Sequence, residues 1–207
     1  MLQINKLLLF VFFFKVSLSS AAYMSVLESG EILPQDKRYQ IGFSPQVMTS
    51  EPSGLNVAMF LDAAWNDSLQ SRFTLGVGEL DFYTGASLKY IPFPDVARQP
   101  AIGLKASIWH ARIESDNLTT LHLAPMVSKK FQTEKQGLWI PYAAIGLSSY
   151  ELAGKSKSGL QFMVGSDWKA PDLPEYTFTG EIALDVDDSV GHMALSIAIP
   201  FNEKSGF

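Results

Sequence analysis

The chain has no cysteine among its 207 residues, which removes disulfides, Cys-ligated zinc, thiol catalysis and the lipid-modified N-terminal cysteine of a lipoprotein. Charge is also sparse, at 18% of residues against 47% hydrophobic, the balance of a folded rather than a disordered chain. Sixteen Lys and Arg are outnumbered by 21 Asp and Glu. No cationic surface is therefore available to displace phosphate counterions, and nucleic acid is excluded as a partner. Fifteen glycines are too few for a collagen-like repeat. After the first residues, no stretch reaches the roughly 18 uninterrupted apolar residues of a membrane helix, and none carries a helical period over ten residues or more. The length fits one domain with a sizeable core.

What is present begins with a sorting segment. Lys6 precedes an apolar run from Leu7 to Phe14, followed by Lys15, Ser17, Ser19, Ser20, Ala21 and Ala22. Basic, apolar and small residues in that order predict a secretory signal peptide over residues 1–22, cleaved after Ala21 or Ala22 and too short to span a bilayer. Its removal takes away two lysines and no acid, so the formal charge of −5 becomes more negative by two. Residues 23–207 then form a single β-barrel domain.

Their dominant signal is period two. Leu55, Val57, Met59, Leu61, Ala63 and Trp65 alternate with Asn56, Ala58, Phe60, Asp62 and Ala64; Phe73, Leu75 and Val77 alternate with Arg72, Thr74 and Gly76. Successive strand side chains point to opposite faces, so each segment has one greasy wall and one mixed wall. The same rule assigns Leu80, Phe82, Leu88 and Tyr90 to one face and Asp81, Tyr83, Gly85 and Lys89 to the other. It continues through Ile102 to Trp109, Leu121 to Ser128, Trp139 to Ser148, Leu160 to Lys169, Tyr176 to Val186 and Met193 to Phe201. With an opening strand over Tyr39 to Met48, ten strands are expected, joined by short turns into an up-and-down antiparallel meander. Pro45, Pro125, Pro141 and Pro200 fall inside strands, where they cannot donate to a ladder, and leave eight strands as the alternative. Tyr23 to Lys37 is the one stretch without a strand, expected as a tail or folded into the barrel base.

Alternation alone does not say which wall faces inward, but the mixed wall does. It carries the charges Asp62, Arg72, Asp81, Lys89, Lys105, Asp167, Lys169, Glu181 and Asp185 among glycine, alanine and serine. Small residues suit a narrow interior, and charges of both signs can pair across it. With the greasy wall outward, the chain satisfies the requirement that a membrane-crossing sheet close on itself. Trp65, Tyr90, Phe93, Trp139, Tyr150, Trp168, Tyr176 and Phe201 lie near segment ends, as expected for girdles at two membrane interfaces.

The signal, the alternating strands and the final strand Gly191 to Phe201, which ends on an aromatic residue, together resemble the bacterial outer-membrane β-barrel class. The resemblance implies residence in the outer-membrane lipid bilayer and delivery by the barrel-assembly machinery, which reads the last strand. Phe201 or Phe207 would be its terminal aromatic. It also implies a structural protein or a narrow pore for small solutes, non-enzymatic and without cofactor or metal.

Two other functions are compatible with the residues. An envelope-lipid hydrolase barrel would use His122 with Ser107 or Ser128 and an acid such as Glu181. A secreted soluble β-barrel would hold an apolar ligand inside. Asp185, Asp187 and Asp188 have the oxygen chemistry for a divalent cation, but aspartates in a turn need no ion to explain them.

Overall fold

A computed structural model describes residues 26–50, 53–113, 116–152 and 155–202. The expected signal segment and Phe207 lie outside them. The described residues contain eleven strands: β1 (Tyr39–Met48), β2 (Gly54–Asn66), β3 (Leu69–Gly78), β4 (Asp81–Phe93), β5 (Ala101–Ile113), β6 (Asp116–Ser128), β7 (Phe131–Thr133), β8 (Gly137–Leu152), β9 (Lys155–Lys169), β10 (Thr177–Asp187) and β11 (His192–Phe201). All pairings are antiparallel. The ring runs from β1 to β6, on through β8 to β11, and back to β1. The barrel has ten strands; β7 is a three-residue addition hydrogen-bonded to the start of β8.

The turns follow local chemistry. Between β2 and β3 the Asn66 side chain accepts from the Ser68 amide at 2.9 Å, closing a side-chain-stabilised turn. Between β3 and β4 the chain needs positive φ at Gly78 (147°) and Asp81 (48°), which L side chains rarely adopt. A β-carbon at Gly78 would strike the Leu55 carbonyl. At the rim opposite Tyr39 and Phe201, the distal rim, the described connections are short, as at 79–80 and 188–191. The longer ones, 94–100, 129–136 and 170–176, lie at the rim of Tyr39 and Phe201, the terminal rim.

The greasy wall faces outward. Leu55, Met59, Leu121, Leu184 and Leu195 are each more than half exposed, while Asn56, Asp62, Gln161 and His192 are fully buried. A soluble barrel has the reverse arrangement. The barrel strands, of 10 to 16 residues, meet the roughly 9–11 residues that a tilted strand needs to cross hydrocarbon.

Glycines on the inner wall have a specific cause. Phe60, Tyr83, Trp109 and Tyr142 point inward, and each stands directly opposite a glycine of the neighbouring strand: Gly42, Gly76, Gly85 and Gly165. At each glycine a β-carbon would collide with the facing ring. Large rings laid over missing side chains fill a narrow bore without splaying the strands.

Two expectations are corrected. Tyr150 is not part of an outer girdle: it is buried inside the barrel, as is Leu80, with Met48, Tyr83, Trp109, Leu118 and Val190. Leu80 sits in the turn between β3 and β4, where strict alternation no longer applies; Tyr150 follows the inward parity of Tyr142, Ala144 and Ser148 along β8, so the alternation itself places it inside. The remaining girdle aromatics gather at the terminal rim alone. There Tyr39 stacks on Phe201 at 5.7 Å, and Trp139, Trp168, Phe178 and Tyr176 form a chain of ring contacts.

Candidate functional site inside the barrel

Residues 26–33, which have no strand of their own, run up inside the bore from the terminal rim. Of the two outcomes expected for this stretch, the structure takes the one folded into the barrel. Val26, Leu27, Glu28, Ser29 and Gly30 are buried there. The segment's polar backbone must find partners away from water, and the wall supplies them with side chains.

One side of the bore is cationic. Arg72 on β3, Lys89 on β4 and Lys105 on β5 surround the Glu28 carboxylate: Lys105 Nζ lies 2.6 Å from Oε1, Lys89 Nζ 2.8 Å from Oε2 and Arg72 Nη2 3.7 Å from Oε2. Gln70 donates to Oε2 at 3.1 Å. The same cations donate to segment carbonyls: Lys105 to Val26 at 2.6 Å, Arg72 to Leu27 at 3.0 Å and Lys89 to Ser29 at 3.0 Å.

The other side is acidic. Glu181 on β10 accepts from the amides of Val26 at 3.2 Å and Leu27 at 2.8 Å, and Asp167 on β9 accepts from the amide of Ser29 at 3.0 Å. The positive φ of Leu27, 46°, turns two successive amides toward one carboxylate, the geometry of an anion-binding nest. Glu181 also accepts from Tyr142 Oη at 2.8 Å and lies 3.1 Å from His192 Nε2; Thr179 donates to Asp167 at 2.8 Å. Asp62 on β2 pairs with Arg72 through two parallel contacts, Nε to Oδ1 at 2.7 Å and Nη2 to Oδ2 at 2.9 Å. The Phe60 ring lies 4.0 Å from the same guanidinium, a favourable stacking for a cation.

Six of the nine expected lumen charges, Asp62, Arg72, Lys89, Lys105, Asp167 and Glu181, are thus brought together, and three are not. Asp81 and Asp185 are exposed at the distal rim, beyond the buried apolar layer of Tyr83, Trp109 and Tyr150. There Asp185 holds its own turn by accepting from the Ser189 amide at 3.0 Å and hydroxyl at 2.9 Å. Lys169 is half-buried at the terminal rim, lining a cavity of about 360 Å³ that reaches from Lys130 inward to Asp62, Arg72 and Lys89.

The expected mode of pairing also changes. Most inner charges bind the inserted segment rather than one another across the bore; Asp62 with Arg72 is a pair between neighbouring strands. Glu28 was absent from the expected set because it sits outside any strand and no alternation marks it. Tyr142 and His192 were readable as inward residues, but their link to Glu181 was not.

The three histidines separate. His110 is exposed and 3.2 Å from Thr119 Oγ1, and His192 is held by Glu181. His122 is buried with no hydrogen-bond partner at either ring nitrogen. It stands opposite Ser107 in register, yet Ser107 Oγ also lacks a partner. Ser128 Oγ is taken by the Gly30 amide at 3.0 Å.

No protein-family model matches the chain, and no curated protein matches it. Among solved structures, the β domain of the Bordetella autotransporter Brka is similar at 11% identity and a TM-score of 0.52, covering 79% of this chain and 98% of that one. The Acinetobacter baumannii outer membrane protein Omp33 is similar at 6% identity and a TM-score of 0.39, covering 84% and 100%. Neisserial surface protein A is similar at 13% identity and a TM-score of 0.32, covering 79% and 96%. The Brka domain carries the assignment: the fold is that of the bacterial outer-membrane β-barrels.

Proposed function

We propose that the chain is a bacterial outer-membrane protein whose barrel acts as a closed, non-enzymatic structural element. The observation that carries this reading is the filling of the bore at two levels: residues 26–33 on the terminal side, and the apolar layer of Leu80, Tyr83, Trp109, Tyr150 and Val190 on the distal side. A narrow pore for small solutes would require both to move.

The non-enzymatic reading is supported by the commitments of the candidate triad. Glu181 already serves two amides, Tyr142 and His192, Ser128 serves Gly30, and His122 lies buried without a hydrogen bond to Ser107. The outward apolar wall faces lipid tails, and the aromatic residues of the terminal rim mark one edge of the hydrocarbon. Export by a cleaved signal and delivery by the barrel-assembly machinery follow from the same reading. In that reading Phe201, which ends β11, is the terminal aromatic. Protein from the outer-membrane fraction is expected to migrate differently with and without heating and to give no conductance steps in a planar bilayer. Steady single-channel conductance from the unmodified chain would overturn the closed state.

A further inference from the structure

Lys89 and Lys105 stand directly opposite one another on neighbouring strands and on the same inward face. Like charges so placed repel and are unfavourable, unless an anion lies between them. The Glu28 carboxylate is that anion, one oxygen on each ammonium. Across the bore, Asp167 and Glu181 face the segment from the acidic side. The wall therefore offers donors of positive charge to one edge of the bent segment and negatively charged acceptors to the other, which is how its carbonyls and amides are bound.

Recognition of this kind reads main chain. It makes three demands on side chains: an apolar residue where Val26 stands, buried in a cluster with Ile91, Ala101 and Met126; a carboxylate where Glu28 stands; and a residue without a β-carbon where Gly30 stands, because a β-carbon there would press on Ser128 Oγ and Ala101. None of these demands depends on the peptide being joined to β1. The stretch 34–38 that joins it is exposed, and the cavity of about 360 Å³ lets the site be reached from the terminal rim.

We propose that the terminal half of the bore is a binding site for a bent acidic peptide, occupied by this chain's own residues 26–31 and able to take a separate peptide of the same chemistry. The site rests on the wall's side chains and stands whether or not the barrel conducts.

The test uses the full chain folded in detergent and cut by trypsin at the exposed Lys37 or Arg38, with a fluorescent synthetic peptide of residues 26–34 as the probe. A second preparation, in which residues 26–33 are replaced in the intact chain by a glycine-serine segment of equal length, presents the site vacant. Heat-modifiable migration confirms that each preparation is folded. Saturable binding, read by anisotropy in either preparation and weakened at least about tenfold by Glu28→Gln in the peptide, is the expected result, since hydrogen bonds to a charged group are at stake. Absence of binding in both preparations overturns the proposal, as does equal binding of the peptide carrying Glu28→Gln. Conductance is a separate readout, so failure here is distinct from failure of the closed-barrel reading.

Discussion

Glu28→Gln is the most direct perturbation of the inserted segment. The carboxylate faces ammonium groups at 2.6 and 2.8 Å and a guanidinium at 3.7 Å, and all four side chains are nearly inaccessible to solvent. Removing one partner from a buried ionic cluster costs about 3–5 kcal/mol, because the remaining charges stay buried without compensation. Here the lysines keep the carbonyls of Val26 and Ser29, and glutamine keeps one acceptor, so the low end applies. About 3 kcal/mol corresponds to a roughly hundredfold rise in the undocked population, at about 1.4 kcal/mol per factor of ten. The absence of native cysteine makes this measurable. A single Ser29→Cys substitution places a thiol at a fully buried position on the segment, and its labelling rate in the folded protein follows the open population when reclosing is fast. Glu28→Gln is expected to raise that rate about a hundredfold. Glu31→Gln, which breaks a partly exposed contact to Lys130, should change it by no more than about fivefold. A rise of less than about threefold for Glu28→Gln, or equal rises for both, would refute the view that Glu28 anchors the segment.

Leu195, 65% exposed on the outer wall, should cost about 2–4 kcal/mol when replaced by arginine if it faces the bilayer midplane; denaturant unfolding from lipid vesicles measures this, and a near-neutral result would contradict the lipid-facing assignment. Gly85→Ala puts a β-carbon into the Trp109 ring and should cost about 1–3 kcal/mol by overpacking, with an altered near-ultraviolet circular dichroism spectrum; an unchanged spectrum and stability would remove the ring-over-glycine account. In the terminal-rim loop, partial burial raises the Asp95 carboxyl, but hydrogen bonds from Lys129 and the Lys130 amide, with the charges of both lysines, outweigh it and leave the group below the ordinary carboxylate value. A carboxylate depressed in the folded state stabilises above its unfolded value and loses that contribution as pH falls toward the folded one. Lys129→Met should therefore reduce the loss of stability on acidification in that window, as read by unfolding at a series of pH values; an unchanged acid limb would show that the contact carries no weight.

Most of the barrel was legible because a strand in a wall with one lipid face and one inner face must alternate at every residue. The opening strand was expected over the residues that form β1, and Asp62 and Arg72 were placed inward by the same rule that put Leu61 and Phe73 outside. Legibility ended where that rule ends. Leu80 lies in a turn, where the chain bends over the bore and side chains are no longer sorted by parity, whereas Tyr150 keeps the inward parity of Tyr142 and Ser148 and was expected outside only because it is an aromatic near a strand end. Asp81 and Asp185 obey the alternation on paper but lie beyond the layer that closes the distal end. Glu28 belongs to an irregular segment, so its meeting with Lys89 and Lys105, some 60 and 80 residues away, is a tertiary contact that no local pattern encodes. The short β7 carries too few residues to show any period.

The ring closes where β1 meets β11, so its first and last strands must both exist before there is an inside. Residues 26–33 precede β1 and touch β3, β4 and β5 on one flank and β9 and β10 on the other, with contacts spanning as many as 155 positions of sequence. A cylinder that shut without them would leave Lys89 facing Lys105 with no Glu28 carboxylate between them. The leading segment is thus a mandrel as well as a stopper: the order in which strands are laid down has to leave it within the curve, and a chain without its contacts is expected to close more slowly while still closing.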